Sequence, residues 1–271
     1  MKNFLSFRFW LLSMISCAGL IVHSVAQPVP LPRAHSHNDY AHDRPLLDAL
    51  DQGFCSVEAD IWLVEGRLLV AHDRSQVKPE LTLQALYLNP LRHRIRKNGG
   101  RVYPQGPPCM LLIDLKSAAE PTYGALREVL RGYQDILTEF TSSSTLTNAI
   151  TIVLSGNRPT EMLASESSRY AAIDGRLADL QGNASPHLIP LISDNWRLHF
   201  SWRGTGPLPD SEEKKLRQIV EQTHQQGRRI RFWNTPDTPA GWRELQRAGV
   251  DLINTDHLAG LKSFLLEGSS P

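Results

Sequence analysis

The stretch FCSVEADIWLVEGRLLVAHD, residues 54–73, carries the pattern from which the fold is predicted. Within its first nine residues, Glu58 and Asp60 alternate with small or apolar side chains, and side chains two positions apart on a β-strand point to the same face. A turn at 64–66 (VEG) joins this strand to RLLVAHD, which predicts a small hairpin. We therefore expect a strand that carries two carboxylates on one face and contacts a helix layer with the other.

Seven further apolar runs repeat this pattern along the chain, and helical patterns separate most of them. We predict strands over 31–35, 54–62, 109–115, 149–155, 170–174, 188–193, 229–234 and 250–255. We predict helices over 44–52, 121–140, 159–168, 211–226, 239–248 and 257–266, and a polar surface loop over 141–147. Strands that alternate with helices indicate a parallel α/β fold, and eight of them favour a closed (β/α)8 TIM barrel over an open sheet.

The first 26 residues have the features of a secretory signal peptide. A basic start (MKNFLSFR) precedes an apolar run over 9–22, and SVA at 24–26 offers the small residues that signal peptidase requires. We expect cleavage after Ala26, a secreted or periplasmic protein, and a single mature domain over residues 27–271. The apolar run is short for a membrane span, and an uncleaved anchor helix is the alternative.

The composition excludes several classes of protein. The chain has 271 residues, 41% of them hydrophobic and 21% charged, as in globular rather than disordered proteins. Its formal net charge of +1 removes the electrostatic argument for general nucleic-acid binding. After loss of the signal, Cys55 and Cys109 are the two remaining cysteines, too few for a disulfide scaffold. They can be two buried free thiols or, in an oxidising compartment, a disulfide.

Ionisable side chains gather where the predicted strands end, which is where TIM barrels carry out catalysis. Glu58 and Asp60 lie on the second predicted strand, and Asp114 lies at the end of the third. Carboxylates that share a buried face repel each other unless a cation or a proton intervenes. Three of them at one level suit a hard divalent cation, Mg²⁺ or Ca²⁺. Lys116, two residues beyond Asp114, adds a positive charge on the same face.

Two histidines flank these carboxylates in the predicted barrel. His35 ends the first strand, and His72 ends the hairpin that follows the second. Such a pair can act as general base and general acid in one reaction. Each of these groups, taken alone, also fits a structural ion pair or hydrogen bond, and their conjunction at neighbouring strand ends favours a functional site.

Together, His35, EAD at 58–60, LLVAHD at 68–73 and IDLK at 113–116 resemble the glycerophosphodiester phosphodiesterases, which belong to the phospholipase-C-like TIM barrels. GVDLINTD at 249–256 resembles the last strand of that family. The opening HSHNDY is similar to that of a branch related to the fungal altered inheritance of mitochondria protein 6.

This resemblance implies the roles of individual residues. It implies that Glu58, Asp60 and Asp114 hold one Mg²⁺ or Ca²⁺ ion, and that His35 and His72 form the acid–base pair. It further implies that Lys116 and Trp233 line the phosphodiester pocket. The implied function is a secreted, metal-dependent phosphodiesterase that cleaves a glycerophosphodiester or phospholipid-type phosphodiester.

The partners expected for such an enzyme are small. We expect a monomer that binds a small phosphodiester or a phospholipid headgroup, makes at most transient contact with a membrane surface, and does not bind nucleic acid. The family opens with His-Arg-Gly, whereas Ser36 and His37 follow His35 here. The arginine that would contact phosphate is therefore missing, and Arg158 in SGNRP is the candidate substitute.

Two other functions fit parts of the pattern. His35 and His37 share a face of the first strand and could ligate zinc, as in a dinuclear zinc amidohydrolase or a histidinol-phosphatase-like phosphoesterase. The fifth and sixth predicted strands, however, lack the histidines that such a site requires. The other alternative is a non-catalytic secreted binding protein on a barrel scaffold.

Overall fold

The computed structural model describes residues 27–268, so the predicted signal peptide lies outside the described residues. The barrel strands are β1 (Leu31–Ser36), β2 (Phe54–Val64), β3 (Cys109–Leu115), β4 (Ile150–Gly156), β5 (Ala172–Gly175), β6 (Leu191–Asn195), β7 (Arg229–Trp233) and β8 (Ile253–Thr255). Their number and their alternation with helices confirm the predicted (β/α)8 TIM barrel.

The strands are parallel and follow chain order around the barrel, with β8 paired to β1. The ring closes between β7 and β8 through an isolated parallel bridge from Arg231 to Leu252. At this closure, the inward side chain of Arg231 on β7 contacts His35 on β1 and Glu58 on β2.

Helices cover the outside of the barrel and its loops. They are α1 (Leu47–Asp51), α2 (Asn89–Lys97), α3 (Ala119–Arg131), α4 (Thr160–Ser165), α5 (Trp196–His199), α6 (Asp210–Gln225), α7 (Pro239–Ala248) and α8 (Leu258–Glu267). Short 3-10 turns lie at Asp39–Ala41, Arg74–Gln76 and Leu177–Gln181, and a π-helical turn at Gln84–Leu88. Within the described part of the chain, no helix is both long and apolar enough to cross a membrane.

The predicted hairpin follows β2 directly. Strand Arg67–Val70 pairs antiparallel with β2, in register from Val64 opposite Arg67. The two connecting residues, Glu65 and Gly66, have φ values of 50° and 75°. Positive φ at both positions is the signature of a type I′ turn, which matches the twist of the two strands. The hairpin directs the following segment, with His72, over the carboxyl end of the barrel.

Two apolar clusters surround β2 and β3. Val57, Ala59 and Ile61 belong to the large core under the helices, as the alternating pattern predicts. A small second cluster fills the barrel interior below the carboxylates, and it consists of Met110, Leu112, Val153, Leu191 and Leu252. The carboxylates therefore have apolar surroundings beneath them, which strengthens every charge interaction at their level.

Three parts of the chain differ from the sequence prediction. The predicted helix 121–140 is too long, because α3 ends at Arg131 and the chain then enters a small antiparallel sheet. That sheet consists of Glu139–Thr141, Thr145–Leu146 and Ser168–Arg169, so the predicted loop 141–147 contains part of a hairpin. Helix α2 is not among the predicted helices. Its proline lies in the first turn, where the missing N–H costs no hydrogen bond.

The two cysteines of the described residues, Cys55 and Cys109, are buried free thiols. Cys55 and Cys109 occupy neighbouring strands, each one residue before the register pair Ser56 and Met110. The free-thiol alternative therefore describes this structure.

Candidate active site

Three carboxylates converge at the carboxyl end of β2 and β3. Glu58 and Asp60 project from β2, and Asp114 lies directly opposite Asp60 in the strand register. One oxygen from each lies within 4.8 Å of the others, and the described residues contain no second group of three or more potential metal ligands. The relative exposures of Glu58 and Asp60 are only 6% and 1%. The structure therefore brings these three side chains together, as the sequence predicts.

Two cations partly compensate the three carboxylates. Lys116 Nζ lies 3.0 Å from Asp60 Oδ2 and 3.2 Å from Asp114 Oδ2. On the other side, Arg231 NH1 donates to Glu58 Oε2 at 2.8 Å. Three ionised carboxylates and two cations leave one negative charge uncompensated in surroundings of low polarity.

The pKa values reflect this imbalance. Burial, reinforced by the charge of Glu58, raises the pKa of Asp60 to about 6. Burial also raises the pKa of Asp114, and the nearby Lys116 ammonium only partly opposes this. Burial alone would raise the pKa of Glu58 as well, but the charge of Arg231 and the hydrogen bond with His35 hold it well below its usual value. Glu58 is therefore firmly ionised, whereas Asp60 and Asp114, which share the single cation Lys116, retain a proton more readily.

The donor set fits a hard divalent cation. Its candidate ligands are all carboxylate oxygens, which Mg²⁺ and Ca²⁺ prefer. Asp60 Oδ1 is buried and has no hydrogen-bond partner among the described residues. A buried acceptor without a donor costs free energy that a bound cation would recover. Glu58, Asp60 and Asp114 are therefore able to hold such an ion.

His35 is fully buried beside Glu58. Its Nδ1 lies 2.7 Å from Ser56 Oγ, and its Nε2 lies 2.5 Å from Arg231 NH1 and 3.2 Å from Glu58 Oε2. Burial and then the charge of Arg231 lower the pKa of His35 to about 4. Because the ring is neutral and the guanidinium can only donate, Nε2 carries a lone pair and Nδ1–H donates to Ser56. A neutral imidazole is the form that a general base needs.

His72 lies in a different environment at the mouth of the barrel. Its side chain is 57% exposed, and its Nδ1 lies 3.4 Å from Asp73 Oδ1. Among the described residues, no hydrogen bond joins His72 to the carboxylates. It instead lines a cavity of about 840 Å³ together with Tyr40. Tyr40 Oη donates to Asp60 Oδ2 at 2.8 Å, so this cavity lies next to the carboxylates.

The residue that occupies the missing arginine position is structural. Ser36 Oγ donates to Asp39 Oδ1 at 2.8 Å, and Asp39 also accepts hydrogen bonds from Leu46 N and from Tyr87 Oη. Asp39 is completely buried, so it organises the loop between β1 and α1. The sequence stretch SHND is thus partly a folding motif.

Arg231 is the basic residue that sequence reasoning missed. It has a relative exposure of 3% and contacts both His35 and Glu58. The signal was present in RIRFW, where arginines alternate with apolar residues on a strand whose inward face enters the barrel. Its guanidinium, rather than that of Arg158, lies at the level of the carboxylates.

Arg158 and Trp233 lie elsewhere on the same rim. Arg158 NH1 donates to the backbone oxygen of Asp174 at 2.5 Å, on the β5 side of the barrel. Trp233 lines a separate cavity of about 300 Å³ with His37 and Asp256. His37 Nδ1 lies 2.8 Å from Asp256 Oδ1. Although burial alone lowers the pKa of His37, this hydrogen bond raises it above the usual value. Neither predicted substrate contact touches the carboxylates among the described residues.

Comparison with family models gives two matches. Residues 23–105 match the AIM6-like phosphodiesterase domain, a range that includes His35, Glu58, Asp60 and His72. Residues 229–259 match the glycerophosphoryl diester phosphodiesterase family, a range that includes Arg231 and β8.

Curated relatives match over most of the chain. Altered inheritance of mitochondria protein 6 of Eremothecium gossypii is 30% identical over 280 residues, which cover 90% of this chain and 72% of that protein. Its homolog in Arthroderma benhamiae is 28% identical over 270 residues, covering 87% of this chain and 84% of the homolog. The Saccharomyces cerevisiae protein of the same name is 28% identical, with 87% and 71% coverage.

Solved structures share the fold at low identity. The glycerophosphodiester phosphodiesterase from Agrobacterium tumefaciens superposes with a TM-score of 0.52 at 18% identity, covering 86% of this chain and 99% of that one. The enzyme of the same name from Parabacteroides distasonis gives 0.53 at 14% identity, with 88% and 98% coverage. These two neighbours support the barrel fold alone.

Proposed function

The chain belongs to the altered inheritance of mitochondria protein 6 family, and from this premise we propose that it is a divalent-cation-dependent phosphodiesterase. Its substrate is a glycerophosphodiester or a phospholipid-type phosphodiester. The observation that carries the proposal is the convergence of Glu58, Asp60 and Asp114 within 4.8 Å beside a neutral buried histidine.

The proposed reaction is hydrolysis of one phosphoester bond. His35 Nε2 accepts a proton from water as the water oxygen bonds to phosphorus, after the imidazole exchanges its contact with Arg231 for one with the nucleophile. The bond from phosphorus to the ester oxygen breaks, and His72 gives a proton to the departing alkoxide. The products are a phosphomonoester and an alcohol, and each proton transfer contributes about 10²- to 10⁴-fold to the rate.

Other residues of the chain bind and orient the phosphate. Lys116 and Arg231 provide positive charge on the two sides of the carboxylates. When bound to the carboxylates, Mg²⁺ or Ca²⁺ supplies Lewis-acid stabilisation of a non-bridging phosphate oxygen. Tyr40 holds Asp60 in place through its hydroxyl hydrogen bond. Trp233 and Arg158 are proposed to contact the substrate further out on the rim.

The experiment is an assay of phosphodiester hydrolysis with matched variants. Purified protein is incubated with glycerophosphocholine and with bis(p-nitrophenyl) phosphate in the presence of Mg²⁺ or Ca²⁺. We expect Asp114→Asn to abolish turnover. The control Glu221→Gln also removes one carboxylate, but from the exposed side of α6, and is expected to keep full activity. An active Asp114→Asn variant would contradict the proposal.

The zinc alternative is less well supported by the same site. Among residues 27–268, the convergent ligand group of three contains carboxylates and no histidine. His35 instead contacts Glu58, and His37 contacts Asp256. Metal analysis of the purified chain separates the two functions, because stoichiometric zinc that survives chelation would favour the dinuclear site.

We extend the proposal to location and assembly. The protein is secreted or periplasmic, acts as a monomer, and meets membranes at most transiently through its substrate. Mass spectrometry of the exported chain tests the first point, since cleavage after Ala26 gives a mature N-terminus at Gln27. A chain that retains residues 1–26 would indicate the uncleaved anchor instead.

A further inference from the structure

The cavity beside Tyr40 is larger than a small polar alcohol requires. It lies between the loop at 37–46 and the segment 70–86, and we call it the loop cavity. Its volume of about 840 Å³ falls within the range of ~300–1,000 Å³ that is typical of small-molecule sites. No residue of the loop cavity belongs to the carboxylate group itself, so its role is separate from holding the cation.

The loop cavity opens next to the proposed point of bond cleavage. Tyr40 forms part of its wall, and the same hydroxyl donates to Asp60. His72, the proposed proton donor to the leaving alkoxide, lines it as well. An ester group that departs from phosphorus at the carboxylates would therefore enter this cavity.

The walls of the loop cavity are chemically divided. One side has an aliphatic surface formed by Val70, Leu81 and Leu86. Removing such a surface from water by contact with apolar groups is favourable. His42 lies on the polar side, and its Nε2 is buried without a hydrogen-bond partner among the described residues. Lys78, an exposed residue, stands at the rim. A ligand that matches these walls has an aliphatic part and at least one polar group.

We propose that the loop cavity binds an aliphatic chain on one ester group of the substrate. The preferred substrates are then phosphodiesters in which one alcohol carries an alkyl or acyl chain, rather than those built only from small polar alcohols such as glycerol. The polar group nearest the ester oxygen pairs with His42, and the chain lies along Leu81 and Leu86. This inference rests on the proposed phosphodiesterase function for its catalytic part, but the binding part can be measured alone.

The test uses alkylphosphocholines with methyl, butyl, hexyl, octyl and decyl chains, all below their micelle concentrations. Binding is followed by calorimetry in the presence of Ca²⁺, and hydrolysis by release of the alcohol. If the chain is buried in the cavity, affinity and kcat/KM should rise about tenfold for every two methylenes until the cavity is filled. A flat dependence on chain length in both measurements would overturn the inference.

Two leucine variants assign the effect to the loop cavity. Leu81→Asp introduces a charge on its aliphatic wall at a side chain that does not belong to the hydrophobic core. We expect the decyl-to-methyl ratio of affinities, and of kcat/KM, to fall at least tenfold. Leu146→Asp introduces the same charge at a leucine that is 71% exposed on the small antiparallel sheet, and should leave the ratio unchanged. An equal ratio in wild type and Leu81→Asp would contradict the assignment.

The measurements separate failure of this inference from failure of the proposed function. If decylphosphocholine binds, the variant loses it, and no substrate is hydrolysed, the loop cavity is supported and the phosphodiesterase proposal fails. If short substrates are hydrolysed without any dependence on chain length, the enzyme stands and the inference fails. If nothing binds and nothing is hydrolysed, both fail.

Discussion

The buried guanidinium of Arg231 links the carboxylate Glu58 to the proposed general base His35. It donates to Glu58 and contacts His35, and it is the main reason that Glu58 stays ionised despite its burial. A buried carboxylate that loses its cationic partner keeps the full cost of desolvation. Arg231 therefore maintains the charge of a candidate ligand as well as the fold.

Replacing this arginine should be costly. We expect Arg231→Met to lower the free energy of unfolding by about 3–5 kcal/mol, because Glu58 is left buried without compensation. The measurement is urea unfolding of the variant beside Arg243→Met, which removes an exposed arginine of α7 and should change stability little. An Arg231→Met variant that is as stable as the control would show that Glu58 needs no such partner.

Replacement of the two proposed acid–base histidines should have similar effects on activity but different effects on stability. His35 is fully buried with both ring nitrogens engaged, whereas the His72 side chain is 57% exposed. We expect His35→Asn and His72→Asn each to lower kcat by about 10²- to 10⁴-fold. Only His35→Asn should also lower the melting temperature. Equal activity of wild type and His72→Asn would remove that residue from the mechanism.

Among the structural segments, the end of β4 controls how Asp114 is placed. Gly156 has a φ of +67°, and a Cβ there would lie 2.0 Å from Asp114 Oδ1 and 2.7 Å from the backbone oxygen of Leu115. A side chain at this position must displace either the carboxylate or the backbone. The turn of the hairpin offers a matched comparison, because Gly66 has a φ of +75° and open space around it.

Substitution of these two glycines by alanine should therefore differ. Both Gly66→Ala and Gly156→Ala pay about 1–2 kcal/mol for the left-handed backbone conformation. Gly156→Ala should lose further stability and bind Ca²⁺ at least about tenfold more weakly, because Asp114 is displaced from its partners. Calorimetric Ca²⁺ titration of both variants is the measurement. Indistinguishable affinities would mean that Asp114 is not a ligand or that it tolerates the shift.

The loop between β1 and α1 depends on one buried carboxylate. Asp39 accepts hydrogen bonds from Ser36 Oγ at 2.8 Å, Leu46 N at 2.5 Å and Tyr87 Oη at 3.0 Å. Leu46 has a φ of 64° and a ψ of −50°, and Leu47 N donates to Pro45 O at 2.7 Å across it. These values describe a γ-turn, which is strained for a leucine and is held by its contacts.

Removing this carboxylate should release the loop. We expect Asp39→Ala to destabilise the protein by about 3 kcal/mol or more, since three buried donors lose their acceptor. Asp39→Asn keeps one oxygen and should cost less. Thermal unfolding and limited proteolysis of the loop check both variants. Wild-type stability in Asp39→Ala would contradict the role given to this residue.

For the barrel as a whole, local sequence patterns predicted the strands and the side chains that meet on adjacent strands. The predicted strand 109–115 matches β3, and Glu58, Asp60 and Asp114 meet because adjacent parallel strands end at the same level. Arg231 could not be predicted in this way. Its partner Glu58 lies 173 positions away in sequence, and their contact depends on closure of the ring between β7 and β8. The end of α3 was also missed, because propensity alone does not show where tertiary pairing begins.

The central claim is that Glu58, Asp60 and Asp114 hold one divalent cation on which phosphodiester cleavage depends. The most direct measurement is the rate at which the protein hydrolyses glycerophosphocholine and bis(p-nitrophenyl) phosphate. The rate is measured after a chelator has removed bound metal, and again during titration with Mg²⁺ or Ca²⁺. The account predicts that chelation lowers the rate to about one hundredth or less, that one ion per chain restores it, and that Asp114→Asn does not respond. An unchanged rate after chelation, or full restoration of activity in Asp114→Asn, would contradict it.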